Sequence, residues 1–150
     1  MSEQGFYRTI LVPVDGSDTA ARAADAARDL AAASGARVVV MSVAVDRDIM
    51  PSELMATGQV SRKDIMDDRR RQATEIADKA ADSLKAAGVE TRTEVAAGDP
   101  AHCIIEHSRT LDAPLVVIGR RGLTGFRELI MGSVSNKVVH YADCPVLVIN

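Results

Sequence analysis

The chain has 150 residues and a mass of 16.0 kDa, the size of one domain, so no separate substrate lobe is expected. With 47% hydrophobic and 26% charged residues, it has the composition of a packed globular domain, not of a disordered chain or a membrane span. A formal charge of −3, 3% aromatics and no Trp argue against the positive field and stacking faces on which nucleic-acid binding rests.

Residues 1–7 lack a basic segment leading into an apolar one, and no apolar run approaches the roughly 20 residues of a membrane span, so a cytoplasmic chain is expected. The core must be built from Ala, Val, Ile, Leu and Met. Thr9 to Val14 is a β-branched strand that stops at Asp15-Gly16-Ser17. Asp18 to Ala33 has strong helix formers, with Ala20, Ala24, Ala27 and Leu30 along one face, Ser17 or Asp18 as cap and Gly35 as stop. Arg37 to Val45 is a continuous apolar run, the pattern of a strand buried on both faces.

Asp46 to Val60 has no period and reads as a connection, with Met50, Met55 and Met66 as adaptable packing around it. Ser61 and Asp64 form a weak capping box for a helix to Ala87, with Ala73, Ile76, Ala77, Ala80, Leu84 and Ala87 on one face and Asp67 to Arg71 on the opposite, solvated one. Val89 to Ala96 alternates as a strand. Asp99-Pro100 supplies the cap and first residue of a helix through Leu111. Leu115 to Ile118 is a strand ending at Gly119, Ser133 to His140 a short helix, and Pro145 to Ile149 a last strand.

Strands alternating with helices imply a parallel sheet covered on both faces. The expectation is a single Rossmann-like or flavodoxin-like α/β domain over residues 1–150, with five strands in the order 3-2-1-4-5. Ligands of such sheets bind at the carboxyl ends of the strands where the winding reverses, here between strands 1 and 4. That order sets Asp15 and Gly119 on one crevice.

The stretch after strand 4 carries the chemistry. Gly119-Arg120-Arg121-Gly122 is followed nine residues on by Gly132-Ser133. A glycine ending a buried strand lets another group approach the backbone, and Gly122 and Gly125 permit an anion-binding turn of successive N–H groups. Gly132-Ser133 opens a helix whose unpaired N–H groups and dipole favour phosphate. Arg120, Arg121 and Arg127 add positive charge. A long glycine-containing loop simply capped by Ser133 fits the same residues. There is no Walker A lysine after the glycines and no G-x-G-x-x-G, so any phosphates are held chiefly by backbone and helix end.

The spacing G-x2-G-x9-G-S from Gly119 to Ser133 resembles the ATP-binding signature of the universal stress protein family. The resemblance extends over Ile10 to Ser17, Gly98-Asp99-Pro100, Gly132 to Ser135 and Cys144 to Val148. It implies adenine near Pro13, Val14, Asp15 and Val43, with Asp15 close to ribose and phosphates. Gly119, Arg120, Arg121 and Gly122 would line the ribose and phosphate path, and Gly132, Ser133, Val134 and Ser135 would grip the outer phosphates. The implied ligand is ATP, with AMP or cAMP open. Mg2+ or Mn2+ would be carried by the phosphates, with Asp15 and Ser133 the protein groups nearest to it. Arg120 departs from the pattern, standing where a smaller residue is common.

The resemblance further implies a homodimer through the last strand, Pro145–Ile149, a stress-response role and an unidentified regulatory protein partner. Catalysis is expected to be absent beyond slow ATP hydrolysis. A dimeric interaction module that ignores nucleotide and a slow ATPase are the alternatives.

Other constellations are weaker. His102, Cys103 and His107 lack the i, i+4 spacing of helical metal ligands, and Cys103 and Cys144 read as buried reduced thiols. No G-x-S-x-G elbow occurs. Asp15 lacks the companions of a phosphoacceptor, since strand 3 ends in Ala96-Ala97 and Asn150 alone follows strand 5; capping the first helix is its structural alternative.

Overall fold

The computed structural model describes residues 6–47, 56–58, 60–121 and 131–150. Gly122, Gly125 and Arg127 lie outside the described residues, as does most of the connection after residue 47. Strand β1 (Thr9–Pro13) leads to helix α1 (Asp18–Ser34) and strand β2 (Arg37–Val45). Helix α2 (Arg62–Ala86), strand β3 (Thr91–Gly98), helix α3 (Pro100–Ser108) and strand β4 (Pro114–Gly119) follow. Helix α4 (Ser133–Tyr141) and strand β5 (Val146–Ile149) complete the order.

Among the described residues all four strand pairings are parallel, as the alternation of elements implies, and the sheet runs β3-β2-β1-β4-β5, the expected order. The chain winds outward from β1 to β3 and then returns to β1's other side for β4 and β5. Because crossovers keep one hand, the reversal puts α1 and α2 on one face and α3 and α4 on the other. Side-chain alternation shows it. Ile10, Val12, Val38, Val40 and Val117 pack with the alanines of α1 and α2, whereas Leu11, Val39, Met41, Val116 and Ile118 pack with Ile104, Ile105 and Val138.

Helix ends follow local chemistry. Ser17 caps α1, its Oγ accepting the Ala20 N–H at 3.2 Å, and Gly35 closes it at φ 75°, a left-handed angle that favours glycine. Asp15 is not the cap; its Oδ1 accepts the Ser17 N–H at 3.0 Å and shapes the turn before it. The Ser61–Asp64 box is formed on both sides.

The helix faces differ in detail from the periodicity reading. In α1 it is Ala31 that is buried while Leu30 is exposed, and in α2 the buried line is Ala73, Ala77, Ala81 and Leu84. With side chains this small α1 packs close to the sheet, and Leu30 is left at the margin.

Candidate functional site

The crevice arises from the way two strands part. β1 pairs with β2 along its whole length, to Pro13↔Met41, but its pairing with β4 ends at Leu11↔Val116. Beyond that point the carboxyl ends of β1 and β4 separate, and their main-chain groups open a gap at the reversal of the winding.

On the β1 side, Pro13 follows Leu11 in facing α3 and α4, the same face to which Val43 is packed. Val14 turns the other way, into the core under α1, so only its backbone borders the crevice; its N–H is bonded to Met41 O at 2.8 Å. Asp15 is exposed beside them.

The β4 side is built from three interlocking contacts. Gly119 lies against the first turn of α1, where a Cβ would come within 2.9 Å of Thr19 C. Arg120 gives its N–H to Ile149 O at 2.7 Å and its carbonyl to Gly132 N–H at 2.8 Å. Ser135 Oγ donates to that same Arg120 carbonyl at 2.7 Å and is 2% exposed. Its hydroxyl is therefore committed to holding the loop, and only its main-chain N–H is left for a ligand. Thr19 Oγ1 donates to the Arg121 carbonyl.

This lock brings the start of α4 beside Gly119, Arg120 and Arg121. Gly132 occupies the N-cap position and offers no side-chain cap, and the first intrahelical bond runs from Asn136 N–H to Gly132 O. The N–H groups of Ser133, Val134 and Ser135 thus have no partner within the helix, and the exposed Ser133 hydroxyl bonds to none of the described residues. Unpaired donors at a helix start, with arginines close in sequence, are what a phosphate needs. Val134 packs its side chain toward the α3 and α4 core.

Sequence reasoning missed two residues here. Thr19 lies 102 positions from the carbonyl it holds, and Arg69 leaves the solvated side of α2 to donate to Arg47 O at 2.6 Å and to Val45 O at 2.5 Å, fastening the end of β2. A hydroxyl on the first turn of a helix and an arginine amid charges carry no signal by themselves. A separate cleft of about 320 Å³ lies on the opposite face between α1 and α2, lined by Val14, Ala20, Ala24, Ile76 and Ala80. It shares only Val14, Gly16 and Ser17 with the turn after β1. Among the described residues, no group of three or more His, Cys, Asp or Glu could hold a metal ion, and no helix is long and apolar enough to cross a membrane.

A doubly wound parallel sheet with an uncapped helix start at its topological switch point defines an α/β domain of the class that places its ligand crevice at the carboxyl ends of the strands. Comparison with known proteins narrows the class. The chain belongs to the universal stress protein family, whose profile matches residues 6–150. It is 33% identical over 147 residues to universal stress protein YxiE of Bacillus subtilis, covering 96% of this chain and 99% of that one. Among solved structures, universal stress protein UspA from Lactobacillus plantarum superposes with a TM-score of 0.82 at 26% identity, covering 96% of this chain and 98% of that one.

Two further structural neighbours hold nucleotides. A universal stress protein in complex with cAMP has a TM-score of 0.65 at 28% identity, covering 96% of this chain and 97% of that one. The universal stress protein from Archaeoglobus fulgidus in complex with dAMP has a TM-score of 0.68 at 25% identity, covering 97% of this chain and 99% of that one.

Proposed function

We propose that this chain is a cytoplasmic adenine-nucleotide-binding stress-response module, with ATP its ligand and AMP or cAMP as competitors. The observation that carries this reading is the uncapped start of α4 held against Gly119–Arg121 at the parted ends of β1 and β4. The relatives in complex with cAMP and dAMP support an adenine nucleotide over other phosphate ligands.

In this reading Pro13 and Val43 meet the adenine, and Asp15 meets the ribose. The main chain at Gly119 to Arg121 follows the sugar and inner phosphate. The N–H groups of Ser133, Val134 and Ser135 and the Ser133 hydroxyl take the outer phosphates. The donor set suits a polyphosphate because it supplies charge-favouring hydrogen bonds without needing a lysine. A divalent ion fits as a companion of the phosphates, with the Asp15 carboxylate and Ser133 hydroxyl nearest; it would offset their charge.

We place no catalytic residue. The Asp15 carboxylate already accepts the Ser17 N–H, and no other carboxylate is assigned to the crevice, so hydrolysis is expected to be slow at best. The output is regulatory: occupancy changes the surface offered to a protein partner. Among the described residues β5 ends the sheet with one edge unpaired, and a second copy pairing there makes the homodimer.

Calorimetry tests the assignment directly. ATP with Mg2+ should bind, and chelation should weaken ATP while leaving cAMP unchanged, since cAMP lacks the outer phosphates. Ser133→Pro removes one N–H and the hydroxyl, yet proline suits the first helical position and Gly132 already has the extended ψ of 156° that precedes it. About tenfold weaker ATP binding with an unchanged melting temperature is expected, the effect of roughly 1.4 kcal/mol. Wild-type protein that binds no adenine nucleotide, or Ser133→Pro that binds as wild type does, rejects the reading.

A further inference from the structure

A chain of hydrogen bonds joins the turn after β1 to the loop after β4. Asp15 Oδ1 accepts the Ser17 N–H at 3.0 Å, Ser17 Oγ and Thr19 Oγ1 are 3.3 Å apart, and Thr19 Oγ1 bonds to the Arg121 carbonyl. Counting protons fixes the directions. A carbonyl can only accept, so the one hydroxyl proton of Thr19 goes to Arg121. Ser17 must then donate to Thr19 Oγ1, which it can do while its own oxygen accepts the Ala20 N–H. Each hydroxyl spends its single donor inside the chain, so neither turns away without breaking it.

Thr19 also meets the far wall through its backbone. Its carbonyl carbon and oxygen lie 2.9 and 3.0 Å from where a Cβ of residue 119 would be, so α1 is seated directly on the end of β4. From the opposite face of the sheet, α4 holds the preceding carbonyl, that of Arg120, through Gly132 N–H and Ser135 Oγ. The two successive carbonyls of Arg120 and Arg121 are thus pinned by helices from both sides. A trans peptide is planar, so fixing these carbonyls also fixes the plane of the amides that carry them.

From this geometry we infer that Thr19 is a positioning residue for the crevice. Its hydroxyl sets the path of the chain leaving β4 and so the affinity for nucleotide. The inference rests on the reading of the crevice as an adenine-nucleotide site. Its physical basis is preorganisation: main chain already held at Arg120 and Arg121 loses less freedom when ligand arrives. Thr19 belongs to none of the motif residues that point to the nucleotide.

The test compares Thr19→Val, which keeps the shape and loses the hydroxyl, with Thr19→Ser, which keeps the hydroxyl. One hydrogen bond's net worth predicts ATP binding weaker by about threefold to tenfold in Thr19→Val and near wild type in Thr19→Ser. Equal affinity in wild type and Thr19→Val overturns the inference, and so does an equal loss in both variants. Should Thr19→Val fail to fold, Thr19→Ala takes its place against the same Thr19→Ser reference. If the wild-type chain binds neither ATP nor cAMP, the nucleotide reading falls by itself. The role of Thr19 is then read from ligand-free hydrogen exchange of the Gly132 amide, which is bonded to Arg120 O. Faster exchange in Thr19→Val but not in Thr19→Ser upholds it, and unchanged exchange overturns it.

Discussion

Residue 119 and Thr19 stand so close that only a hydrogen fits between them: a Cβ on residue 119 would lie 2.9 Å from the Thr19 carbonyl carbon and 3.1 Å from Ala20 N. These are backbone atoms of a helix, which cannot swing aside as a side-chain tip can. Gly119→Ala should therefore push α1 off β4 and destabilise the chain by about 1–3 kcal/mol, the usual cost of overpacking. Urea unfolding measures it. Stability equal to wild type would mean that the strand end and helix do not meet this closely. At Gly132 the constraint is looser, since a Cβ there would meet Arg120 O at 3.2 Å.

Ser135 illustrates how a motif residue is redirected by its fold. Its hydroxyl is buried and bonds the Arg120 carbonyl, with the Gly132 carbonyl 3.1 Å away. Ser135→Ala removes a buried donor, and a loss of about 1–2 kcal/mol in unfolding free energy is expected. Nucleotide binding should weaken in parallel, because the loop it holds is the one beside the α4 start. A variant as stable as wild type would return Ser135 to the role of a ligand group.

Much of this was legible in the chain itself. The Gly35 stop, the Ser61–Asp64 box and the Asp99-Pro100 start are local devices whose partners lie within three or four residues, and each formed. The parallel sheet covered on both faces follows from alternation and crossover hand, and the order 3-2-1-4-5 is met as expected. What was not legible depends on distance in sequence. Ser135 reaches Arg120 15 residues away, and Thr19 reaches Arg121 across 102; neither side chain reveals which carbonyl it will meet. Arg69 reads as one charge of a solvated cluster, yet the fold brings the end of β2 within its reach. Ser17, one of the two residues read as the cap of α1, takes that position, and Asp15, for which capping was the alternative role, shapes the turn instead.

Burial pushes both thiols above their ordinary range; for Cys103 the carboxylates of Asp99 and Asp46 add to it, and for Cys144 a hydrogen bond with Ser108 partly offsets it. The folded chain therefore holds thiol protons that the unfolded chain releases first. Their contribution to stability is complete below the unfolded thiol value, about 8.5, and is lost as pH rises through the higher folded values. Urea midpoints should fall with rising pH above that point, and fall less in a Cys103→Ala, Cys144→Ala double variant. Native thiols should also react slowly with a disulfide reagent at pH 8. A flat profile that both chains share would contradict this.

The free edge of β5 offers a test of assembly. Leu147 is 39% exposed and belongs to the last strand of the sheet. Leu147→Asp places a charge on that edge, where copies would pair, without disturbing a buried side chain. Sedimentation should show a dimer for wild type and a monomer of unchanged circular dichroism for the variant. A variant that stays dimeric would move the contact elsewhere.

Arg120 gives one end of its backbone to the last strand and the other to the last helix, through Ile149 O and Gly132 N–H. It works as a pivot with both arms occupied, so no rotation there can be absorbed by a single neighbour. Whatever displaces this residue must shift the sheet's outer border and the start of the last helix together, so a disturbance entering at either one reaches the other.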